Sequence, residues 1–420
     1  MKPKLLTTMR GYNARQFGGD AFAGLTVAMV ALPLSIAIAI ASGATPAAGL
    51  VAAVVAGFLI SALGGSRVQI GGPTGAFIVV VYDIIQAHGF DGLLLATLMA
   101  GVILVVAGLL RAGRLIALIP EAVIEGFTVG IAIVIATSQL KDLLGLSTAA
   151  LPADFLGKVP ALWEARGTLN GAAVAIGLAA IVMIFALRRL APRVPGAVVA
   201  IAAASAAVAL LALPVDTVGS RYGALPAGLP WPELPLVSPA AMIDLLPSAL
   251  LIAFLAGVES LLSAIVADRM IGGAHRSNAE LLAQGAANIF SPLFGGLPAT
   301  GAIARTATNV RAGGRTPVAG MVHALVILIV MAFAAPLAAY LAMPALAGLL
   351  LVTAWVMSEP HRWPERMRAP PAERYLLLLT MVLTVLADLA MAIAIGTVIG
   401  LALRHFGRVA PPEDWKPPER

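Results

Sequence analysis

The chain has no cysteine, which excludes disulfides, thiolate metal centres and cysteine nucleophiles. Charge is also scarce. Only 11% of its 420 residues are Asp, Glu, Lys or Arg, against about 25% in soluble domains. There is no Walker loop, no Gly-x-Ser-x-Gly elbow and no HExxH, and the five histidines show no metal-ligand spacing. These absences leave no basis for ATP hydrolysis or other catalysis. No catalytic residue, metal, cofactor or nucleic-acid partner is expected. The N-terminus is polar up to Asp20 and lacks a short apolar core with a small-residue cleavage site, so no cleavable signal peptide is expected.

What is there is hydrophobic. Apolar residues make up 60% of the chain, and the mean hydropathy is +0.97. Long apolar runs recur from Ala21 to Leu403, as in an all-α polytopic membrane protein lodged in the bilayer. Runs and breakers together define fourteen segments, near 21–43, 47–64, 73–87, 92–110, 118–140, 170–187, 194–213, 240–266, 278–292, 300–310, 316–338, 340–356, 375–388 and 390–405. Residues 1–20 form a cytoplasmic N-terminal segment, and 21–213 hold segments one to seven. An extracytoplasmic linker covers 214–239, segments eight to fourteen occupy 240–405, and 406–420 form a cytoplasmic tail.

Placing the N-terminus in the cytoplasm puts 22 of the 27 Lys and Arg residues on that side. Only Lys141, Lys158, Arg166 and Arg221 fall on the other, and Arg305 falls inside a segment. So lopsided a split supports the segment count and cytoplasmic termini. With seven segments per half, the second half starts on the outside and is inverted relative to the first.

Two interruptions sit at matching places in these halves. Gly71-Gly72-Pro73-Thr74-Gly75-Ala76-Phe77 opens segment three, and Gly295-Gly296-Leu297-Pro298-Ala299-Thr300-Gly301-Ala302-Ile303 precedes segment ten. Glycine and proline also simply permit tight packing of membrane helices. A matched pair in opposed halves points instead to a transporter binding site. The two short helices that follow run in opposite directions, so their N-termini meet near the bilayer centre. Each contributes unpaired N–H groups and about half a positive charge, which favours an anion. Thr74 and Thr300 are expected to cap these ends or to face the ligand.

Two charges lie where lipid would penalise them. Glu259 is mid-segment, with Ser263 four residues on along the same face. Desolvation favours its protonated form, which makes it the leading candidate for ion coupling. Arg305 sits one turn into segment ten, where the helix dipole disfavours a cation. Something negative beside it, either substrate or Glu259, is expected. Glu121 and Glu125 complement the start of segment five, and Asp388 reads as a cap or turn residue.

The run Ser277-Asn278-Ala279-Glu280-Leu281-Leu282-Ala283-Gln284-Gly285-Ala286-Ala287-Asn288-Ile289-Phe290, and its continuation through Arg305 to Thr316, resembles the SulP family of sulfate-permease-type anion transporters. These are bacterial relatives of the animal multifunctional anion exchangers and prestin. Ala31-Leu32-Pro33-Leu34-Ser35 and Gly126-Phe127-Thr128-Val129-Gly130 add to the resemblance. It implies two inverted seven-segment repeats divided into a core domain (segments one to four and eight to eleven) and a gate domain (five to seven and twelve to fourteen). Half-helices are implied at segments three and ten, as is a homodimer in a bacterial inner membrane. Substrate is implied at Thr74, Gly75, Ala76, Gly301, Ala302 and Ile303, beside Leu34 and Ile38 of segment one.

The chain departs from the family pattern in two ways. Sodium-coupled bicarbonate members carry Asp and Thr where this chain has Glu259 and Ser263, and they lack an arginine at Arg305. This favours protons over sodium. Most members also continue into a cytoplasmic STAS domain, whereas this sequence stops at Arg420 after a proline-rich stretch. The expectation is a proton-coupled secondary transporter of a small anion: sulfate, bicarbonate or a C4-dicarboxylate. A sodium-coupled symporter, an uncoupled channel or exchanger, and a nucleobase transporter of similar fold are the alternatives.

Overall fold

The computed structural model describes residues 2–113, 120–148, 151–152, 154–191, 194–235, 238–387 and 389–406, with backbone only for 389–390. Asp388 and the tail beyond 406 lie outside the described residues. Segment one is α1 (Ala14–Ala41), opened by a reciprocal capping box between Asn13 and Gln16. It is followed by α2 (Pro46–Leu63), the two-residue strand β1 (Gly71–Gly72), a 3-10 turn at Gly75–Phe77, and α3 (Ile78–Leu109). Gly89 breaks α3 with a φ of 72°, giving two stretches that match segments three and four. Next come α4 (Glu121–Leu143), α5 (Gly171–Leu190) and α6 (Gly196–Leu210).

The second half starts with α7 (Pro239–Ile271), capped by Ser238 and ended by left-handed Gly272. Then follow α8 (Ser277–Leu293), β2 (Thr300–Gly301), α9 (Ile303–Arg311), α10 (Val318–Ala338), α11 (Met343–Met357), α12 (Pro371–Leu386) and α13 (Leu389–His405). Among the described residues, eight helices are long and apolar enough to cross a membrane. Short helices at Lys4–Thr8, Phe155–Glu164, Val218–Tyr222 and Trp363–Arg368 lie between or beside them.

The helices pack as two groups. In one, α3 lies against α7 and α8, and α1 and α2 lie against α10. Close approach of α3 and α8 depends on small residues, since Gly101 meets the backbone of Gly285 and Ile289. In the other group, α4 packs on α11 and α12, α5 on α6 and α11, and α12 on α13. These are the core and gate sets of helices that the resemblance implies. At the start of α4, Glu125 pairs with Arg362 at 2.8 Å and Arg366 at 3.2 Å. Arg366 also pairs with Glu359 at 2.9 Å. Glu125 therefore clamps the link between α11 and α12 rather than only complementing a helix end.

Candidate functional site

The two sequence breaks come together as an antiparallel pair of strands, with Gly71 opposite Gly301 and Gly72 opposite Thr300. Beyond each strand a helix starts, so two helix N-termini stand side by side within the core group. Broken backbone inside a bilayer needs hydrogen-bond partners, and here side chains supply many of them. Asn288 on α8 donates to Ala299 O (2.8 Å) and accepts from Ala299 N (2.9 Å), while Ser291 donates to Leu297 O (2.8 Å). Asn309 on α9 donates to Val68 O (2.8 Å), and the Thr306 hydroxyl accepts from Ile70 N (3.1 Å).

Behind the strands lies a wholly buried carboxylate, Glu280. It accepts from Gly65 N (2.9 Å), Ser66 N (3.2 Å), Ser260 Oγ (2.9 Å) and Gln284 Nε2 (3.0 Å). Ser260 in turn accepts from Gln69 Nε2 at 2.9 Å. The Gln69 amide presses so closely on Gly301 that a Cβ there would overlap it. Glu280 thus acts through Ser260 and Gln69 on the strand pair, and Ser260 is the neighbour of Glu259. Sequence reasoning did not single out this group. A signal was present, because Glu280, Gln284 and Asn288 recur every four residues along one face of an apolar helix.

In front of the strands stand the two charges. Glu259, midway along α7, is half-buried and accepts from Thr74 Oγ at 2.9 Å. Arg305, 2% exposed, donates through Nη2 to Ser35 Oγ and to Pro73 O, both at 3.1 Å. Its Nη1 has no hydrogen-bond partner and lies against Gly72, where φ is 149° and an added Cβ would meet it. A buried guanidinium nitrogen left with free donors beside two helix N-termini is an arrangement that an anion satisfies.

The expected residues are distributed as follows. Thr74, Gly75 and Ala302 are buried at the helix starts, Ala76 is half-buried, and Ile303 is 39% exposed. Gly75 faces Ile135 of α4 and Met357 just at the end of α11, so this edge of the core abuts the gate. Leu34 is half-buried and Ile38 buried on α1, flanking Ser35, the Arg305 partner that sequence reasoning missed.

The geometry refines three expectations. Ser263 does not meet Glu259, and its hydroxyl shares a 3.2 Å hydrogen bond with Thr306. Neither threonine caps its helix. Thr74 turns to Glu259, and Thr300 donates to Ala256 O at 2.8 Å. Arg305 makes no direct ion pair with Glu259 among the described residues, since its Nη2 goes to Ser35 and Pro73, but Glu259 lies within electrostatic reach of it, as expected of a negative group nearby. No cluster of His, Asp or Glu suited to a metal occurs among the described residues.

Comparison with known proteins places the chain in a family and bears on the fold. A family model described as "Sulfate permease family" matches residues 17–380. The "Putative sulfate transporter YvdB" of Bacillus subtilis (strain 168) is 43% identical over 392 residues, 93% of this chain and 74% of that protein. The "Bicarbonate transporter BicA" of Picosynechococcus sp. is 32% identical over 399 residues, 93% of this chain and 70% of the relative. A solved transmembrane domain of a cyanobacterial BicA superposes with a TM-score of 0.80 at 29% identity, covering 93% of this chain and 98% of that one.

Proposed function

Because this chain belongs to the sulfate permease family, whose members compared above are named as transporters and not as enzymes, we propose that it is a proton-coupled secondary transporter of sulfate-type anions. The coarser statement, an integral membrane anion transporter of this family, is the premise. Substrate, coupling ion and site residues are our reading.

The observation that carries this reading is Arg305 Nη1, a buried and unpartnered donor beside two converging helix N-termini. The site's positive charge is about +2, one unit from Arg305 and roughly half from each helix end. A doubly charged sulfate matches this when Glu259 is neutral. An ionised Glu259 competes with it for the same field. Protonation of Glu259 therefore favours anion loading, and loss of that proton favours release. Thr74, which touches Glu259 and opens one half-helix, is the physical link between the two events.

Substrate would contact Thr74, Gly75 and Ala76 from one half and Gly301, Ala302, Ile303 and Arg305 from the other, with Leu34 and Ile38 behind. Ser263 supports this site through Thr306 and does not touch the coupling carboxylate. Movement of the core group against the gate group would expose the site alternately to the two sides. The charge distribution supports cytoplasmic termini, and the bacterial relatives support a bacterial inner membrane. The name of the Bacillus relative supports sulfate over bicarbonate.

Purified protein in proteoliposomes should accumulate radiolabelled sulfate under an inward proton gradient and fail to do so under a sodium gradient alone. Unlabelled sulfate should compete more strongly than bicarbonate, fumarate or uracil. Accumulation driven by sodium alone, or a steady anion current with no proton requirement, would overturn the reading.

A further inference from the structure

A second cationic site lies away from the strand pair, at the end of the core group where the chain begins. A pocket of about 370 Å3 is lined by Lys4, Thr7, Thr8, Arg10, Gln16, Arg67 and Arg276. Four of these seven are cations and none is an acid. They come from three separate parts of the chain, which backbone hydrogen bonds join. Lys4 N donates to Gly64 O at 2.9 Å, and Arg276 N donates to Gly65 O at 3.0 Å. The Arg276 side chain reaches back to Lys2 O at 2.9 Å.

The acids nearest in sequence are committed elsewhere. Asp20 accepts from Tyr12, from the backbone of Arg315 and Thr316, and from the Thr316 hydroxyl. Asp268 pairs with His275 at 2.7 Å, and Glu280, four residues beyond Arg276, is held by Gly65 N, Ser66 N, Ser260 and Gln284. The Thr7 and Thr8 hydroxyls donate to the backbone of Lys4 and Leu5, so the donors facing the pocket are the guanidinium groups of Arg10, Arg67 and Arg276. Convergent guanidinium charges repel unless a counter-ion joins them, and a tetrahedral oxyanion suits several arginine donors.

A free phosphate and a lipid phosphate share that chemistry. The surroundings favour the lipid. Leu6 (60% exposed), Met9 (45%) and Phe17 (51%) flank the pocket on the same N-terminal stretch. Phe22 continues this exposed apolar surface down α1. Basic side chains above an outward apolar surface are the pattern of an interfacial anchor.

We propose that this pocket binds the phosphate of an anionic phospholipid whose acyl chains lie along Leu6, Met9, Phe17 and Phe22. The bound headgroup holds Arg67 and Arg276 together. Arg67 lies in the loop that carries Gly65, Ser66 and Gln69 to β1, so the lipid braces the loop leading into the strand pair.

The test reads binding rather than uptake, so its outcome is separable from the transport reading. Delipidated protein in neutral detergent is titrated with phosphatidylglycerol, phosphatidylcholine or inorganic phosphate, and thermal melting and native mass spectra are recorded. Phosphatidylglycerol alone should raise the melting temperature and remain bound. The double variant R67Q/R276Q should bind it about thirtyfold more weakly, at about 1 kcal/mol per basic residue. Arg67 is exposed and makes no hydrogen bond or ion pair among the described residues, so R67Q alone offers a variant expected to fold, with about a fivefold loss. Equal retention of phosphatidylcholine, or unchanged retention by R67Q, would overturn the proposal. Saturable binding of inorganic phosphate without lipid retention would overturn the lipid assignment and leave a free-anion site.

Discussion

Glu259 and Arg305 illustrate how one residue's chemistry reaches function only through its partners. Each is costly within a bilayer, and each is held by a neighbour from the first half of the chain, Thr74 or Ser35 and Pro73. Both charges stand out in the sequence because an apolar run surrounds them. The partners of Arg305 do not, since a serine or a proline carbonyl in such a run is unremarked, and Thr74, though conspicuous, gives no sign in sequence that it meets Glu259. Glu259→Gln keeps the shape and a polar contact for Thr74 but cannot exchange a proton. We expect it to abolish accumulation driven by a proton gradient while sulfate binding, measured by calorimetry on purified protein, stays within about threefold, less than 1 kcal/mol. Full accumulation by the variant would remove Glu259 from the coupling step.

At the scale of elements, the informative feature is that two breaks form one strand pair. Glycine and proline mark where helices stop, and an odd number of segments per half makes equivalent pieces run antiparallel. Both facts are legible in sequence. The pairing of Gly71 with Gly301 is not, because it depends on Asn288, Ser291, Thr306 and Asn309 holding the backbone on either side. The polar stripe on α8 is periodic and readable, yet its period alone does not say what it grips. Gly301→Ala drives a methyl into the Gln69 amide, whereas Gly18→Ala meets nothing within 4 Å. The first should cost about 1–3 kcal/mol, seen as a lower melting temperature in detergent together with weakened sulfate binding. The second should change neither. Parent-like melting and binding by Gly301→Ala would show that close approach at β2 is not a constraint.

At the scale of the molecule, the proposed mechanism moves the core group against the gate group, so under it contacts bridging them near one end break and reform. Tyr82 on α3 donates to Leu151 O at 2.5 Å, and Lys158 Nζ lies 5.4 Å from the Tyr82 ring centroid. Leu151 and Lys158 belong to the stretch between α4 and α5, so Tyr82 ties core to gate. Loss of its hydroxyl in Tyr82→Phe removes one neutral hydrogen bond, worth about 1 kcal/mol and thus about a fivefold population shift. The absence of cysteine makes this measurable, since one cysteine introduced at Leu34 is the only thiol. Its labelling by a membrane-impermeant maleimide applied from the Leu151 side should speed up about fivefold in the Tyr82→Phe background. Identical labelling rates would show that this contact does not limit opening.

The sequence alone determined that this chain lies in a membrane, how its helices are delimited, that its halves are opposed, and which two charges are exceptional. Those properties follow from local free energies of burial, helix formation and charge placement, which each short stretch expresses without help from the rest. Tertiary structure decided which groups meet. Thr74 and Glu259 are 185 residues apart and Ser35 and Arg305 are 270 apart, while the nearby Ser263 turns away to Thr306. Spacing along a helix shows which residues share a face. Only the packing of distant helices shows what that face touches, because hydrogen bonds form with whatever donor the fold brings within about 3 Å.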